Sequence, residues 1–399
     1  DDDEEDDEIR LSENEMAKDN EKYEYDFWKK NETNEDIGFL YPTLNDPNFN
    51  IKIASKKEFQ NQKFDGTIYD DIEAKSKDEC ESSFEVLPHQ QFVRNFMSIN
   101  TPYNSLLLYH ELGTGKTCSA IGITEEMRNY MRQSGIDQKI IVIASPNVQE
   151  NFKLQLFDPS KLKKQKNDTW ALNTCAGNNL LKEINPTGIT GIPREKISSM
   201  IRTVIKKSYT FMGYEQVALA SESDEKRYQK RMKKKDKSLD IEIEENIPEI
   251  IDMSPIRISD SKEVRKMKEK LIRRLRSIFD HRLIVVDEVH NMISRTENEK
   301  KGSSKILSQI VRYCENTRFL FLSATPMYNS DREIIWLVNT MNMNDKRATI
   351  KTKEVFDDKG NFVEEKKDSA GNVISENGKD LLRRKLIGYV SYVRGENPY

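Results

Sequence analysis

The sequence predicts an α/β fold, a mostly parallel sheet with helices on both faces. Runs of apolar residues that lack polar alternation are typical of strands buried on both sides, and they occur at residues 106–108, 139–144, 283–286 and 318–322. Helical patterns separate these runs. The clearest is 262–279, where apolar residues recur at helical intervals opposite a basic face. Strands that alternate with helices indicate crossover connections and therefore parallel pairing.

The first run leads into a glycine-rich turn, YHELGTGKT at residues 109–117. Gly113 and Gly115 allow backbone N–H groups to surround an anion, and the N-terminus of a following helix adds partial positive charge. Lys116 can reach the terminal phosphates of a nucleotide, and the Thr117 hydroxyl can hold Mg²⁺. His110 occupies the position of the first glycine in the usual pattern. This departure disfavours a kinase or a small GTPase and favours a motor ATPase.

Two later runs also end in polar residues. Asp287 and Glu288 follow the run 283–286, where Asp287 can hold Mg²⁺ through water and Glu288 can orient and deprotonate an attacking water. Ser323 and Thr325 follow the run 318–322, and their hydroxyls can bond the acid pair and sense the γ-phosphate. Because ligands of open α/β sheets bind at the carboxyl ends of the strands, these side chains are expected at one edge. Each pattern taken singly also fits an ordinary strand end beside a turn.

These patterns occur together with several shorter ones: LPHQ at 87–90, SPNVQENF at 145–152, YTFMGYE at 209–215, DEVH at 287–290 and SATPMYN at 323–329. In this combination the chain resembles the superfamily 2 helicases and translocases, within them the Snf2-like branch. It is most similar to the D-type helicases of large nucleocytoplasmic DNA viruses, a group that includes the small subunit of the poxvirus early transcription factor and nucleoside triphosphate phosphohydrolase I. The resemblance covers about residues 84–399, and the final run GYVSYVRGENPY resembles that viral group in particular.

The resemblance implies a RecA-like P-loop lobe that binds ATP and Mg²⁺ and hydrolyses the β–γ phosphoanhydride. The residues expected to be catalytic are Glu288, Lys116 and Asp287. Those expected to bind the nucleotide are Gln90, which reads the adenine edge, and Gly113, Thr114, Gly115, Lys116, Thr117 and Cys118. Thr117 and Asp287 are the expected metal ligands. Coupling is assigned to His290, Ser323 and Thr325, and nucleic-acid contact to Ser145, Asn147 and Tyr214.

The implied function is an ATP-driven translocase that acts on duplex DNA in viral transcription initiation or termination, with a viral RNA polymerase or transcription-factor subunits as partners. Two alternatives stay open: a nucleotide-binding interaction module in which hydrolysis is incidental, and the motor lobe of a restriction enzyme. The resemblance also implies an intracellular protein, located in a virus factory of the host cytoplasm or in the virion. No apolar stretch is long enough to cross a bilayer, so no membrane partner is expected.

The expected organisation is a disordered acidic tail at 1–22, an aromatic docking segment at 23–83 that lies across the lobe or a neighbouring subunit, and the lobe itself at 84–345. A charged insertion at 217–260 interrupts the lobe, and a β-hairpin insertion is expected at 346–378, with strands on both sides of turns at 358–360 and 371–372. Residues 379–399 are expected to begin the connection to a second RecA-like lobe. That lobe would supply arginine fingers, typically worth about 10³ to 10⁵ in rate, so this chain alone should bind ATP but hydrolyse it poorly.

Charge and cysteine content add limited information. The formal net charge is −4, so the overall balance does not indicate a nucleic-acid binder. The cysteines Cys80, Cys118, Cys175 and Cys314 are far apart in sequence, without a C-x-x-C pair, which predicts reduced thiols inside a cell. The four histidines lack metal-ligand spacing, and no zinc site is expected.

Overall fold

The computed structural model describes residues 20–33, 38–62, 86–214, 216–217, 262–292, 301–327, 330–369, 371 and 373–395. The acidic run 1–8 and the charged insertion from residue 218 to 260 lie outside the described residues.

The centre of the molecule is a six-stranded sheet whose strands are all parallel. The strands are β1 Ser105–His110, β2 Ile140–Ile143, β3 Leu162–Lys164, β4 Trp170–Leu172, β5 Tyr209–Met212, β6 Leu283–Asp287, β7 Arg318–Ser323, β8 Lys366–Lys367, β9 Val373–Ser375 and β10 Val390–Val393. The central sheet has the order β10-β1-β7-β6-β2-β5, while β3 with β4 and β8 with β9 form separate antiparallel pairs. The predicted α/β fold is therefore confirmed.

Helices cover both faces of this sheet. They are α1 at residues 20–31, α2 Phe49–Ala54, α3 Lys57–Gln60, α4 Pro88–Phe96, α5 Lys116–Gln133, α6 Pro146–Leu156, α7 Asn179–Ile184, α8 Arg194–Ser208, α9 Lys262–Phe279, α10 Lys301–Tyr313, α11 Glu333–Asn344, α12 Thr352–Val355 and α13 Gly378–Leu386. Short 3₁₀ helices occur at Pro159–Lys161 and Val289–Asn291. The amphipathic helix predicted at 262–279 is confirmed as α9.

The alternation of strand side chains divides the core into two clusters. Leu106 and Leu108 of β1 belong to the first cluster, and Leu107 between them belongs to the second. Residues of α4 to α8 complete the first cluster, whereas residues of α9 to α13 complete the second. The strands β1, β2, β6 and β7 are covered on both faces, so their central residues are continuously apolar, and polar side chains appear where these strands end.

The N-terminal segment is part of the lobe. Phe49, Ile53 and Phe59 are buried in the first cluster, and the Phe49 ring centroid lies 5.2 Å from that of Tyr103. The expected docking segment therefore lies across this lobe in its described part. Residues 20–22 are helical and begin α1, so the prediction that the disordered tail extends to residue 22 is wrong. Trp28 and Tyr41 also pack against the first cluster, whereas Tyr23 and Phe39 are exposed.

The C-terminal boundaries also differ from those predicted. β10 pairs in parallel with β1 and closes one edge of the central sheet, so the lobe does not end at residue 345. Antiparallel pairing does surround both predicted turns, since Phe356 bridges Phe362 and β8 pairs with β9. The strand predicted before the first turn is wrong, because Thr352–Val355 is a short helix. Glu354 accepts a hydrogen bond from the Lys351 N–H and caps that helix.

The expectation of reduced thiols is wrong for one pair. Cys118 and Cys175, 57 residues apart in sequence, form a disulfide with their Cα atoms 5.1 Å apart. Folding brings them together because the segment after β4 packs beside the start of α5, a contact between distant parts of the chain. Cys314 is a free, buried thiol. Among the described residues, none of the helices combines the length and the apolar character needed to cross a membrane.

Candidate nucleotide and nucleic-acid site

The phosphate loop joins β1 to α5 at the carboxyl edge of the sheet. Gly113 and Gly115 have φ of 85° and 76°, a backbone conformation that favours glycine. A Cβ at Gly115 would lie 2.5 Å from Gln90 Nε2, whereas a Cβ at Gly113 would meet nothing within 4 Å. The positive φ of Gly115 favours glycine there, whereas the nearby Gln90 amide is the end of a flexible side chain. Lys116 and Thr117 occupy the first turn of α5, next to the unpaired N–H groups of the helix N-terminus.

The predicted catalytic residues of the two halves of the site come together. The Lys116 amine lies 3.4 Å from a carboxylate oxygen of Glu288, and Asp287 directly precedes Glu288 at the end of β6. Glu288 has φ 46° and ψ 58°, a left-handed conformation that is rare for a residue with a side chain. In that conformation its N–H donates to Asp287 Oδ1 at 2.9 Å. Strained backbone of this kind is concentrated at functional sites in proteins.

Asp287 is a buried carboxyl group with a perturbed pKa. Its pKa is raised to about 6, chiefly by burial and next by the negative charge of Glu288, while Lys116 and the hydrogen bond from the Glu288 N–H act to lower it. Ionisation of this carboxyl group has an energetic cost, because burial disfavours the charged form and the neighbouring Glu288 adds like charge. A divalent cation would remove that cost. The carboxylate is thus suited to holding a metal ion.

A series of polar contacts runs from the acid pair to the end of β7. His290 Nδ1 lies 3.3 Å from a carboxylate oxygen of Glu288 and 3.1 Å from Ser323 Oγ. Ser323 is buried, and its hydroxyl oxygen accepts from the Thr325 N–H at 3.0 Å. The expected contact of the Ser323 hydroxyl with the acid pair is corrected: it is made through His290. The reason is that β7 lies beside β6 and its last side chain faces the 3₁₀ turn that carries His290.

The residues expected to touch nucleic acid separate into two groups. Ser145 and Asn147 begin α6 at the end of β2, with Ser145 half-buried and Asn147 exposed. The Tyr214 hydroxyl instead donates to the Asp287 carbonyl oxygen at 2.6 Å, and burial raises its pKa to about 12. Tyr214, which follows β5, therefore extends across β2 to the end of β6, and its hydroxyl holds the backbone of the acid pair.

The Gln90 amide is occupied by backbone groups. Its oxygen accepts from the Leu87 N–H at 3.2 Å, and its nitrogen lies 3.5 Å from the Gly115 carbonyl oxygen. Gln90 thus links the start of α4 to the phosphate loop in this conformation. The neighbouring His89 bonds the Thr114 carbonyl oxygen through its Nε2 at 2.9 Å. Cys118, expected beside the nucleotide, is the half-cystine that ties this turn of α5 to Cys175.

The residues present fit a magnesium–nucleotide complex. The loop offers glycines with positive φ, and the cation Lys116 stands at the N-terminus of a long helix. Opposite them lie two adjacent carboxylates, one of which carries a raised pKa. An anion suits the first half of this arrangement and a divalent cation suits the second.

Comparison with known proteins identifies the family. The model of the SNF2-related domain matches residues 89–387. The chain belongs to the SNF2-related domain family. The match contains the phosphate loop, the acid pair and the Ser323 turn, and it confirms the predicted membership of the Snf2-like branch of superfamily 2.

The curated relatives include several viral proteins. A protein of Acanthamoeba polyphaga mimivirus named "Putative ATP-dependent RNA helicase" is 25% identical over 367 residues, which are 90% of this chain and 27% of that protein. A second mimivirus protein with the same designation is 26% identical over 365 residues, 90% of this chain and 48% of that protein. An early transcription factor large subunit homolog of African swine fever virus is 24% identical over 331 residues, 77% of this chain and 28% of that protein.

These relatives are much longer than the chain, which spans between 27% and 48% of the length of these three. They confirm the resemblance to helicases of large DNA viruses.

Proposed function

We propose that this chain is the first motor lobe of an ATP-dependent translocase that acts on duplex DNA in viral transcription. The observation that carries the proposal is the contact of Lys116 with Glu288, 3.4 Å, across the edge where the phosphate loop faces the acid pair. A structural ion pair would not need a glycine-lined anion cradle on one side and a carboxyl group of raised pKa on the other.

Each residue has a part in phosphoryl transfer. The loop N–H groups and Lys116 bind the β- and γ-phosphates and stabilise the charge that develops there. Thr117 and Asp287 would hold Mg²⁺, which would neutralise part of the phosphate charge. Glu288 accepts the proton of the attacking water, and the nearby Lys116 amine and His290 ring orient its carboxylate.

The chain of contacts from Glu288 through His290 to Ser323 and Thr325 supports a coupling role for these residues. A change in the position of Glu288 on hydrolysis would alter its contact with His290, and through Ser323 the turn that follows β7. Tyr214 offers a second route, because its hydroxyl joins the end of β5 to the backbone of Asp287. Ser145 and Asn147, at the same edge, would contact the nucleic-acid backbone.

Membership of the SNF2-related family supports translocation along a duplex as the work performed. The name of the African swine fever virus relative supports a role in transcription, with a viral RNA polymerase or transcription-factor subunits as partners. On this proposal the protein acts inside an infected cell, in the virus factory or the virion. The names of the mimivirus relatives make RNA the alternative substrate, which the translocation assays distinguish from DNA.

The decisive variant is Glu288→Gln in the full-length protein. Loss of the general base should lower the rate of ATP hydrolysis by about 10² to 10⁴, while equilibrium binding of Mg·ATP changes little. Lys116→Ala is the companion variant and should abolish binding. Glu354→Gln, which alters an exposed helix cap of α12, is the control and should leave both measurements unchanged.

Retention of turnover by Glu288→Gln would remove Glu288 from its role and with it the proposed chemistry. Full support of transcription by a Glu288→Gln protein that no longer hydrolyses ATP would favour the nucleotide-binding interaction module over the motor.

The work output is tested by pairing two assays on the full-length protein. A duplex translocase should displace the third strand of a DNA triplex in an ATP-dependent manner and should fail to separate the strands of a DNA duplex. ATP turnover should rise more with duplex DNA than with duplex RNA. Strand separation, or stimulation by RNA alone, contradicts the assignment of substrate while leaving the ATPase intact.

A further inference from the structure

Two segments that have no role in the chemistry above lie side by side in the structure. One is the start of the phosphate loop, where His110 replaces the first glycine, and the other is the run that begins at Gly388. Parallel pairing of β10 with β1 sets His110 opposite Val393. Residues 391–395 therefore lie beside the loop. His110 and Ser391 are 281 residues apart in the sequence.

The contacts at this junction involve mainly Glu111. Its Oε1 accepts from the Tyr392 hydroxyl at 3.1 Å, and its Oε2 accepts from the Gly395 N–H at 2.8 Å. Its own N–H donates to the Val393 carbonyl oxygen at 3.0 Å. Both carboxylate oxygens of this loop residue are thus bonded to β10 and the segment after it. His110 adds a contact of its Nε2 with Ser391 Oγ at 2.9 Å.

The packing at Gly395 is equally close. A Cβ at this position would lie 3.0 Å from the Leu112 carbonyl oxygen and 3.2 Å from the Glu111 side chain. The segment after β10 therefore lies against the backbone of the phosphate loop, and a glycine permits that approach.

The far side of the loop is held as well. The Thr114 hydroxyl donates to the Glu111 carbonyl oxygen at 2.7 Å, and the Thr114 carbonyl oxygen bonds His89 Nε2 at 2.9 Å. The backbone from residue 110 to 114 is consequently fixed by β10 on one side and by α4 on the other. The N–H groups that bind phosphate follow directly after this fixed stretch.

We propose that Glu111 is a positioning residue for the nucleotide, acting through a latch formed by Glu111, Tyr392 and Gly395. The latch holds the phosphate loop in one conformation, whereas a glycine at position 110 would leave its backbone more flexible. Less conformational entropy is then lost when the nucleotide binds. By thermodynamic reciprocity, nucleotide binding also strengthens the latch and so orders the segment that follows β10. This inference rests on the proposed function, since it concerns the same nucleotide site.

Tyr392→Phe tests the latch with the removal of one hydroxyl. Loss of a hydrogen bond to a carboxylate should weaken binding of a fluorescent Mg·ATP analogue by about 3- to 10-fold. Glu111→Ala removes both acceptor oxygens and should weaken it at least as much, and the double variant should fall short of the product of the two, because they share one contact. Tyr41→Phe is the matched control: the Tyr41 hydroxyl donates to Glu58, a second tyrosine–glutamate pair that lies outside the latch.

Amide hydrogen exchange supplies a readout that a merely structural role would not change. The Gly395 N–H is itself a member of the latch, so Mg·ATP should slow exchange in a peptide that covers residues 389–395 of the unsubstituted chain. The protection should be largely lost in Glu111→Ala, which lacks the acceptor for the Gly395 N–H, measured at nucleotide saturation and with thermal unfolding recorded to establish that the variant is folded.

The outcomes separate two failures. Nucleotide affinity of Tyr392→Phe equal to that of Tyr41→Phe, or exchange at Gly395 that is the same with and without nucleotide, overturns the latch alone. Failure of the unsubstituted chain to bind Mg·ATP overturns the proposed function and the latch with it.

Discussion

Two clusters of buried charge in this molecule differ in how their charges are compensated. Where α1 meets α13, the side chains of Arg384 and Lys385 are 1% and 0% exposed. Arg384 pairs with Glu21 and Glu376, and the Lys385 amine lies 2.5 Å from carboxylate oxygens of both Glu21 and Glu24. Every buried charge of this α1–α13 cluster thus contacts an opposite charge.

At the nucleotide site the arrangement is different. Asp287, 5% exposed, accepts a hydrogen bond from the Glu288 N–H and lies beside the like charge of that residue. The Lys116 amine contacts Glu288 instead. The pKa of Asp287 is raised first by burial and next by the like charge of Glu288. Buried charge alone does not mark a functional site: the charges of the α1–α13 cluster pair with one another, whereas Asp287 forms no ion pair with a basic side chain among the described residues and is suited to an external cation.

The largest effect is expected when the compensated cluster is broken. Glu24→Ala leaves the ammonium group of Lys385 buried with reduced compensation, and the free energy of unfolding should fall by about 3–5 kcal/mol. Glu32→Ala is the control, because the Lys29–Glu32 pair is more than half exposed, and such pairs contribute about 0–1 kcal/mol. Denaturant unfolding measures both. Equal small losses would show that the α1–α13 cluster is not the tightly coupled network described here.

A change of opposite sign is expected at the nucleotide site. Asp287→Asn removes a buried charge that lies beside another carboxylate, so the free protein at pH 7.5 should gain about 1–3 kcal/mol in free energy of unfolding. The folded-state pKa is above the unfolded value, so the charge destabilises increasingly as pH rises from about 4 to about 6. The difference between the variant and the unsubstituted chain should therefore vanish near pH 4. A loss of stability at pH 7.5 would mean that Asp287 is compensated after all.

The smallest effect is a pH dependence of binding. Asp287 must be ionised to hold Mg²⁺, so affinity for a Mg·ATP analogue should fall as pH drops through about 6, by about 3- to 10-fold between pH 7.5 and 5. Asp287→Asn, measured in the same buffers, corrects for protonation of the nucleotide and should show a flatter profile. If the affinities of the unsubstituted chain and of Asp287→Asn depend on pH in the same way, Asp287 does not hold the metal.

Much of the architecture could be predicted because its signals are local. An apolar run is buried on both faces wherever it lies in a parallel sheet, so the runs that became β1, β2, β6 and β7 predicted strands with polar ends. The helical spacing in residues 262–279 predicted α9 in the same way. The glycines at 113 and 115 marked the phosphate loop, since few other residues accept its backbone conformation.

By itself, then, the sequence determined the fold class, the order of the strand-end motifs and the side chains offered to a nucleotide, because these follow from patterns within a few neighbouring residues. Only the tertiary structure decided the partners that lie far apart in the chain: β10 beside β1, Cys118 with Cys175, Tyr214 under Asp287, and Glu111 with Tyr392. The physical reason is that β10, partly exposed, lacks a continuous apolar run, and a single hydroxyl or thiol carries no pattern at all. Their contacts form when the rest of the chain brings the two surfaces together.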